Sequence, residues 1–180
     1  MKPGELDPQD DRELLARLGL SRETDIVLDA EGQFWAGGAR LSHPGVSAAF
    51  ARWLTRAPDG RWALENPIHW VYLRVLGAPL HALGVRADAQ EEQGRPLLLL
   101  AGGEEEPLRP PTLREGPDGV LYAGALRQGE VWAVRLSPRA ALDLAPWLSE
   151  VEGRPALVVA GEAWPIPRVA DPLARWCLLR

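Results

Sequence analysis

One motif stands twice in this chain, and any fold it adopts has to accommodate both copies. The first reads Gly32-Gln33-Phe34-Trp35-Ala36, then Arg40-Leu41-Ser42, Pro44, Trp53-Leu54 and Gly60-Arg61-Trp62-Ala63-Leu64. The second reads Gly129-Glu130-Val131-Trp132-Ala133, then Arg135-Leu136-Ser137-Pro138, Trp147-Leu148 and Gly153-Arg154-Pro155-Ala156-Leu157. The offset drifts only from 97 residues at the first glycines to 93 at the last, a change that small loop deletions explain. The matches follow the order turn, strand, helix start, helix end, next strand. An ordered set of this kind predicts an internal duplication.

Each copy carries the local signals of the same elements. Asp25–Asp29 predicts a strand, Ala30-Glu31-Gly32 a turn, and Gln33–Ala36 the returning strand of a hairpin. Ser42 is expected to cap a helix with Pro44 in its first turn, running to about Thr55 with Val46, Ala49, Phe50, Trp53 and Leu54 on its inner face. Pro58-Asp59-Gly60 predicts a turn, Arg61–Leu64 a strand, Ile68–Leu76 a long strand and Leu80–Arg86 another. Leu97–Leu100 is apolar throughout, as a strand buried on both faces would be. In the second copy, Val120–Ala125 and Val131–Leu136 form a hairpin. Ser137 caps a helix to about Glu150, with a kink or early end expected at Pro146. Strands at Ala156–Ala160 and Ala163–Ile166 follow.

The predicted class is α+β: two similar strand-strand-helix-strand-strand motifs, each an antiparallel sheet holding one helix. The expected layout is an N-terminal helix within residues 1–22, a first motif with extra strands over 23–101 and an irregular connector over 102–118. A second motif then covers 119–168 and a tail helix 169–180. At 180 residues the chain can bury about 70% of its unfolded surface. Eight tryptophans against two phenylalanines and two tyrosines supply much of that core. Trp35, Trp53, Trp132 and Trp147 recur in the motif and are expected to act as paired core plugs.

The turn and packing residues carry a family resemblance. Gly32-x-x-Trp35-x-Gly37, the helix through Phe50 and the Asp59-Gly60 turn before a strand toward Pro67 resemble the bacterial domain-of-unknown-function family 1285. The second-half order of hairpin, Arg135, Ser-capped helix and Gly161-Glu162-Ala163-Trp164-Pro165-Ile166 does so too. The resemblance covers roughly Asp25 to Pro167. It implies a fold of two similar structural motifs, no established biochemical role, and a suggested involvement in signalling. The family usually carries a Thr-Pro-Glu step and an acidic strand where this chain has Asn66-Pro67-Ile68 and Arg74-Val75-Leu76. Activity resting on those carboxylates is therefore not expected here.

The single Cys177 excludes an internal disulfide framework and fits a reducing, cytoplasmic setting. No apolar segment opens the chain, so no secretory signal is expected. The longest apolar run, Pro96–Ala101, is far too short to span a bilayer. A net charge of −5 argues against a nucleic-acid partner. The sequence holds no His-Glu-x-x-His, no Gly-x-Ser-x-Gly and no phosphate-binding loop ending in Lys-Ser or Lys-Thr.

One constellation remains. Period two puts Ile68, Trp70, Tyr72 and Arg74 on one strand face, and Trp62 on the preceding strand is expected near them. Aromatic rings beside a guanidinium form a face for a small ligand or a partner peptide through cation–π and stacking contacts. The plainer alternative is that Trp70 and Tyr72 only cover the sheet, with Arg74 at its rim. The expected function is a non-catalytic ligand- or protein-binding module without a cofactor, in a signalling context. One alternative is a metal-dependent enzyme or sensor using His69 and His81 with Glu65 or Asp88. Another is the structural subunit of an oligomer built on open strand edges.

Overall fold

The computed structural model describes Arg17 and residues 21–90 and 94–174. The expected N-terminal helix, apart from Arg17, and the tail from residue 175 on, with Trp176 and Cys177, lie outside the described residues. The described chain is mixed α+β and divides into two compact units, residues 1–77 and 78–180. No described helix is long and apolar enough to cross a membrane.

The first unit opens with a three-stranded meander: β1 (Val27–Leu28), β2 (Phe34–Ala36) and β3 (Ala39–Arg40). Helix α1 (Pro44–Trp53) follows, then a second meander of β4 (Leu54–Arg56), β5 (Trp62–Glu65) and β6 (Trp70–Tyr72). The chain closes with β7 (Arg74–Val75), which lies parallel to β1. The expected long strand from Ile68 to Leu76 is thus broken at Leu73, and its two parts serve different sheets. β6 ends the sheet β4-β5-β6, while β7 ends the sheet β3-β2-β1-β7. At the break the pairing changes sides: the Leu73 amide donates to the Trp62 carbonyl, and the flanking amides of Tyr72 and Arg74 donate to Arg22 and Ile26.

Helix α1 starts one residue later than expected. His43, not Ser42, is the cap: its Nδ1 accepts from the Val46 amide at 3.4 Å, with Pro44 opening the first turn. Phe50, Ala51 and Trp53 pack on a core of Leu28, Phe34, Leu54, Leu64 and Leu73. Val46, expected inside, is 38% exposed. Phe34 and Phe50 meet edge to face with centroids 5.4 Å apart, the geometry their ring quadrupoles favour.

The second unit adds strands before its own meander. β8 (Leu80–Ala87), β9 (Pro96–Leu100) and β10 (Glu105–Pro107) form one half of a six-stranded sheet. β11 (Arg114–Glu115), β12 (Leu121–Arg127) and β13 (Glu130–Leu136) form the other half, and β8 lies parallel to β13. β8 and β9 therefore pair with the second motif, not with the first as the layout by sequence had them. Helix α2 (Pro138–Asp143) is capped by Ser137 and ends before Pro146, where a short 3₁₀ turn takes over. A meander of β14 (Leu148–Val151), β15 (Arg154–Val159) and β16 (Glu162–Pro165) completes the unit. After it, Arg168 lies parallel beside Glu115 of β11.

Both units thus run meander, helix, meander and a return segment parallel to the first strand. The arrangement of one antiparallel sheet per helix is corrected: among the described residues each unit has two sheets, and one of the two is mixed. The two glycine–tryptophan signals fall at different places in their sheets. Gly32 and Trp35 precede and occupy the middle strand of their meander, whereas Gly129 and Trp132 precede and occupy the third strand of theirs. Gly119 and Tyr122 hold the positions of Gly32 and Trp35, and both glycines have positive φ, +78° and +85°. The two signals are alike locally, a left-handed glycine turn followed by an aromatic on a strand. Only strand pairing tells them apart. The tryptophans accordingly differ in burial. Trp132 is a core residue, while Trp35 lies outside with its indole N–H donating to Asp29 at 2.7 Å.

Candidate functional site, an aromatic and guanidinium ladder

Strand pairing decides which of the expected site residues meet. Ala63 lies opposite Tyr72 and Glu65 opposite Trp70, so these four share one face of the sheet β4-β5-β6. Leu54, Leu64 and Val71 line the other face, and Trp62 belongs with them, opposite Arg56. Trp62 therefore packs on the core beneath α1, with the Arg56 guanidinium 3.9 Å above its ring. The expectation that it stands beside Trp70 and Tyr72 is corrected. A residue next to Ala63 in a strand must point the opposite way.

Trp70 and Tyr72 do come together. Their rings meet edge to face at 5.0 Å over Ala57 and Ala63, and Trp70 is only 8% exposed. Arg74 is not their stacked cation: it lies exposed on β7, in the other sheet of the unit. The guanidinium groups over these rings belong to Arg22, 4.6 Å from the Trp70 centroid, and Arg61, 3.2 Å from that of Tyr72. The order along the face is Arg22, Trp70, Tyr72, Arg61. Arg61 was legible in the sequence, since alternation carried back one residue from β5 puts Arg61 on the side of Ala63 and Glu65. Arg22 was not, because it comes from a segment 48 residues away.

Each end of the ladder is tied down. Arg61 donates from Nε to Asp59 at 2.9 Å and from Nη1 to Glu23 at 2.8 Å. The Tyr72 hydroxyl donates to the same Asp59 oxygen at 2.9 Å. Asp59 also accepts from the Arg61 amide at 3.1 Å, within the Ala57–Gly60 turn whose last residue has φ +81°. At the other end Arg22, 7% exposed, donates to the Trp70 carbonyl at 2.9 Å and to His69 Nδ1 at 2.6 Å.

The electrostatics follow from these contacts. Burial pushes the Asp59 carboxyl up, but the hydrogen bonds from Arg61 and Tyr72 outweigh it and hold the carboxyl below its usual range. Burial and the bond to Asp59 push the Tyr72 phenol up. Burial works against the Arg61 charge, but the bonds to Glu23 and Asp59 prevail and raise it further. Each of these shifts moves the group's titration further from neutral pH. Carboxylate, phenol and guanidinium keep their ordinary charge states at pH 7, so this set can stack and hydrogen-bond but is not tuned to exchange protons. The sign for stability is definite. A lowered carboxyl contributes fully above its unfolded value of about 3.9 and loses that contribution as pH falls through the folded value. Urea titrations at stepped pH are expected to show acid destabilisation setting in below about pH 4, and Asp59→Asn is expected to flatten that part of the profile. An unchanged profile in the variant would remove Asp59 from the account.

His69 belongs to the first unit, in the turn before β6, and His81 to the second, buried on β8. Among the described residues no group of three or more histidine, cysteine, aspartate or glutamate side chains is placed to hold a metal ion.

No protein-family model matches the chain, and no curated protein matches it. Solved structures do. A DUF1285 family protein from Silicibacter pomeroyi DSS-3 is 20% identical, with a TM-score of 0.59 over 80% of each chain. A DUF1285 family protein from Shewanella baltica OS155 is 19% identical, with a TM-score of 0.51 over 70% of this chain and 94% of that one. The fold of this chain thus resembles that of DUF1285 proteins, as its turn and packing motifs imply.

Proposed function

We propose that the chain is a non-catalytic binding module, and that a ligand or protein partner engages the Trp70–Tyr72 face through the rim that Arg61 and Asp59 present. The observation that carries this reading is the geometry: Arg61 lies 3.2 Å over the Tyr72 ring, and both groups bond the same Asp59 oxygen. Such a set is suited to recognition by stacking and charge-assisted hydrogen bonds. Rigidity supports it further: each ring already carries its cation, so little side-chain entropy remains to be lost on binding. Ile68, 86% exposed, stands at the tip of the turn beside this face. Asn66 fixes that turn by accepting from the Ile68 and His69 amides at 2.9 and 2.8 Å.

The two units are best understood as duplicates, since both follow one order of elements. A cytoplasmic role in bacterial signalling is the setting this proposal favours, on the single cysteine and the family likeness. Native mass spectrometry of protein purified gently from its own host tests the proposal. A reproducible added mass is expected on the wild-type chain, lost in Arg61→Gln and kept in Arg74→Gln. An added mass that survives Arg61→Gln would move the site elsewhere.

A further inference from the structure

The outer edge of β6 is covered, and what covers it is held by a histidine. Residues 22–24 run alongside this edge. The Arg22 carbonyl accepts from the Tyr72 amide at 2.8 Å, and the Thr24 hydroxyl donates to the Tyr72 carbonyl at 2.6 Å. The Arg22 side chain then folds over the strand, donates to the Trp70 carbonyl at 2.9 Å and lies over the Trp70 ring. Without this cover β6 would present unpaired backbone groups, as any edge strand does.

The Arg22 guanidinium also meets His69, at 2.6 Å to Nδ1 and 3.5 Å to Nε2. A guanidinium only donates. The imidazole nitrogen facing it must therefore be the unprotonated one, which fixes His69 as neutral with its proton on Nε2. Protonation would replace that acceptor by an N–H and set one cation against another. Several titratable and charged groups are placed around His69 by the described elements. The segment before β1 brings Arg22. β5 brings Glu65, at the register position opposite Trp70. Further along the same face lie Glu23, Asp59, Arg61 and Tyr72, tied to one another.

We infer that residues 22–24 form an acid-released latch on β6, closed while His69 is neutral and loosened when it is protonated. Histidine is the side chain whose charge ordinarily changes within the physiological pH range, so it is the group in this contact through which acid would act. Release uncovers the Tyr72 amide and the Trp70 ring. The latch concerns the chain alone: it holds or fails whether or not the Trp70–Tyr72 face binds a partner.

Amide hydrogen exchange on the full chain, corrected for intrinsic rates, reads the latch at Tyr72. Protection there is expected to fall about tenfold from pH 7.5 to 5.5, the scale of one lost charge-assisted hydrogen bond. In His69→Gln, whose side-chain oxygen accepts but does not titrate, protection at Tyr72 is expected to stay level over the same range. Equal loss in both proteins, or loss in neither, overturns the inference. If glutamine leaves Tyr72 loosened at both pH values, the wild-type protein decides. The His69 ring nitrogens, followed by NMR, must then titrate with the same midpoint as the Tyr72 loosening, and separate midpoints overturn it.

Discussion

Trp70→Ala is expected to destabilise the protein by about 3–5 kcal/mol, the range for removing a large aromatic side chain from a packed interior. The ring is 8% exposed and packs on Ala57 and Ala63. Truncation removes its edge-to-face contact with Tyr72 and takes the ring from beneath the Arg22 guanidinium, itself buried. Alanine can replace neither contact, and neighbouring strands cannot close the void without breaking their register. Trp70→Phe keeps an aromatic plane and is expected to cost well under half as much. Urea denaturation with an unchanged m-value would establish this as a loss of native stability. A cost below about 1 kcal/mol for the alanine variant would mean that the ring is not part of the core. The practical consequence concerns binding. An alanine at position 70 damages the fold as well as the face, so Arg61→Gln is the cleaner probe.

Leu98→Ala is expected to cost about 2–5 kcal/mol, and Leu83→Ala to stay within about 0.5 kcal/mol of wild type. The two leucines sit on adjacent paired strands. Leu98 is fully buried, opposite Val85, on a strand covered on both faces. Leu83 is 56% exposed because the register shifts beside it: Ala82 pairs with Leu100 while Gly84 pairs with Leu99, leaving Leu83 without a partner position. Such a bulge turns a side chain out of the pattern of its neighbours. Helix α2 closes over this part of β8, with the Ser137 hydroxyl donating to the Leu83 carbonyl at 3.2 Å and Asp143 accepting from the Val85 amide at 3.3 Å. Equal costs for the two substitutions would contradict the bulge.

Most elements were legible because their signals are local. Ser137-Pro138 and Pro44 mark helix starts by cap and first-turn chemistry. Pro146 marks an early helix end because it has no N–H to give. The apolar run 97–100 marks a strand buried on both sides. Half of the candidate site was legible for the same reason, since Trp70 and Tyr72 are two apart on one strand. Trp62 was misplaced by one position, and in a strand one position is the whole difference between faces. Arg74 was misplaced because the chain changes sheets at Leu73, an event that leaves no mark in the period-two pattern.

The sequence by itself determined the α+β class, the Ser137-capped helix start and the order of hairpin, helix and hairpin. Those properties depend on backbone preferences and hydrophobic spacing within about ten residues. Only the tertiary structure decided that β8 lies on β13, that Gly119 and not Gly129 precedes a middle strand as Gly32 does, and that Arg22 and Arg61 are the cations of the aromatic face. Each of these is a pairing between distant segments. Its free energy comes from backbone hydrogen bonds and buried area that exist only once the partner strand has arrived. Many partners satisfy the same local pattern, and the one that buries the most apolar surface with every buried backbone group paired is selected by the folded chain as a whole.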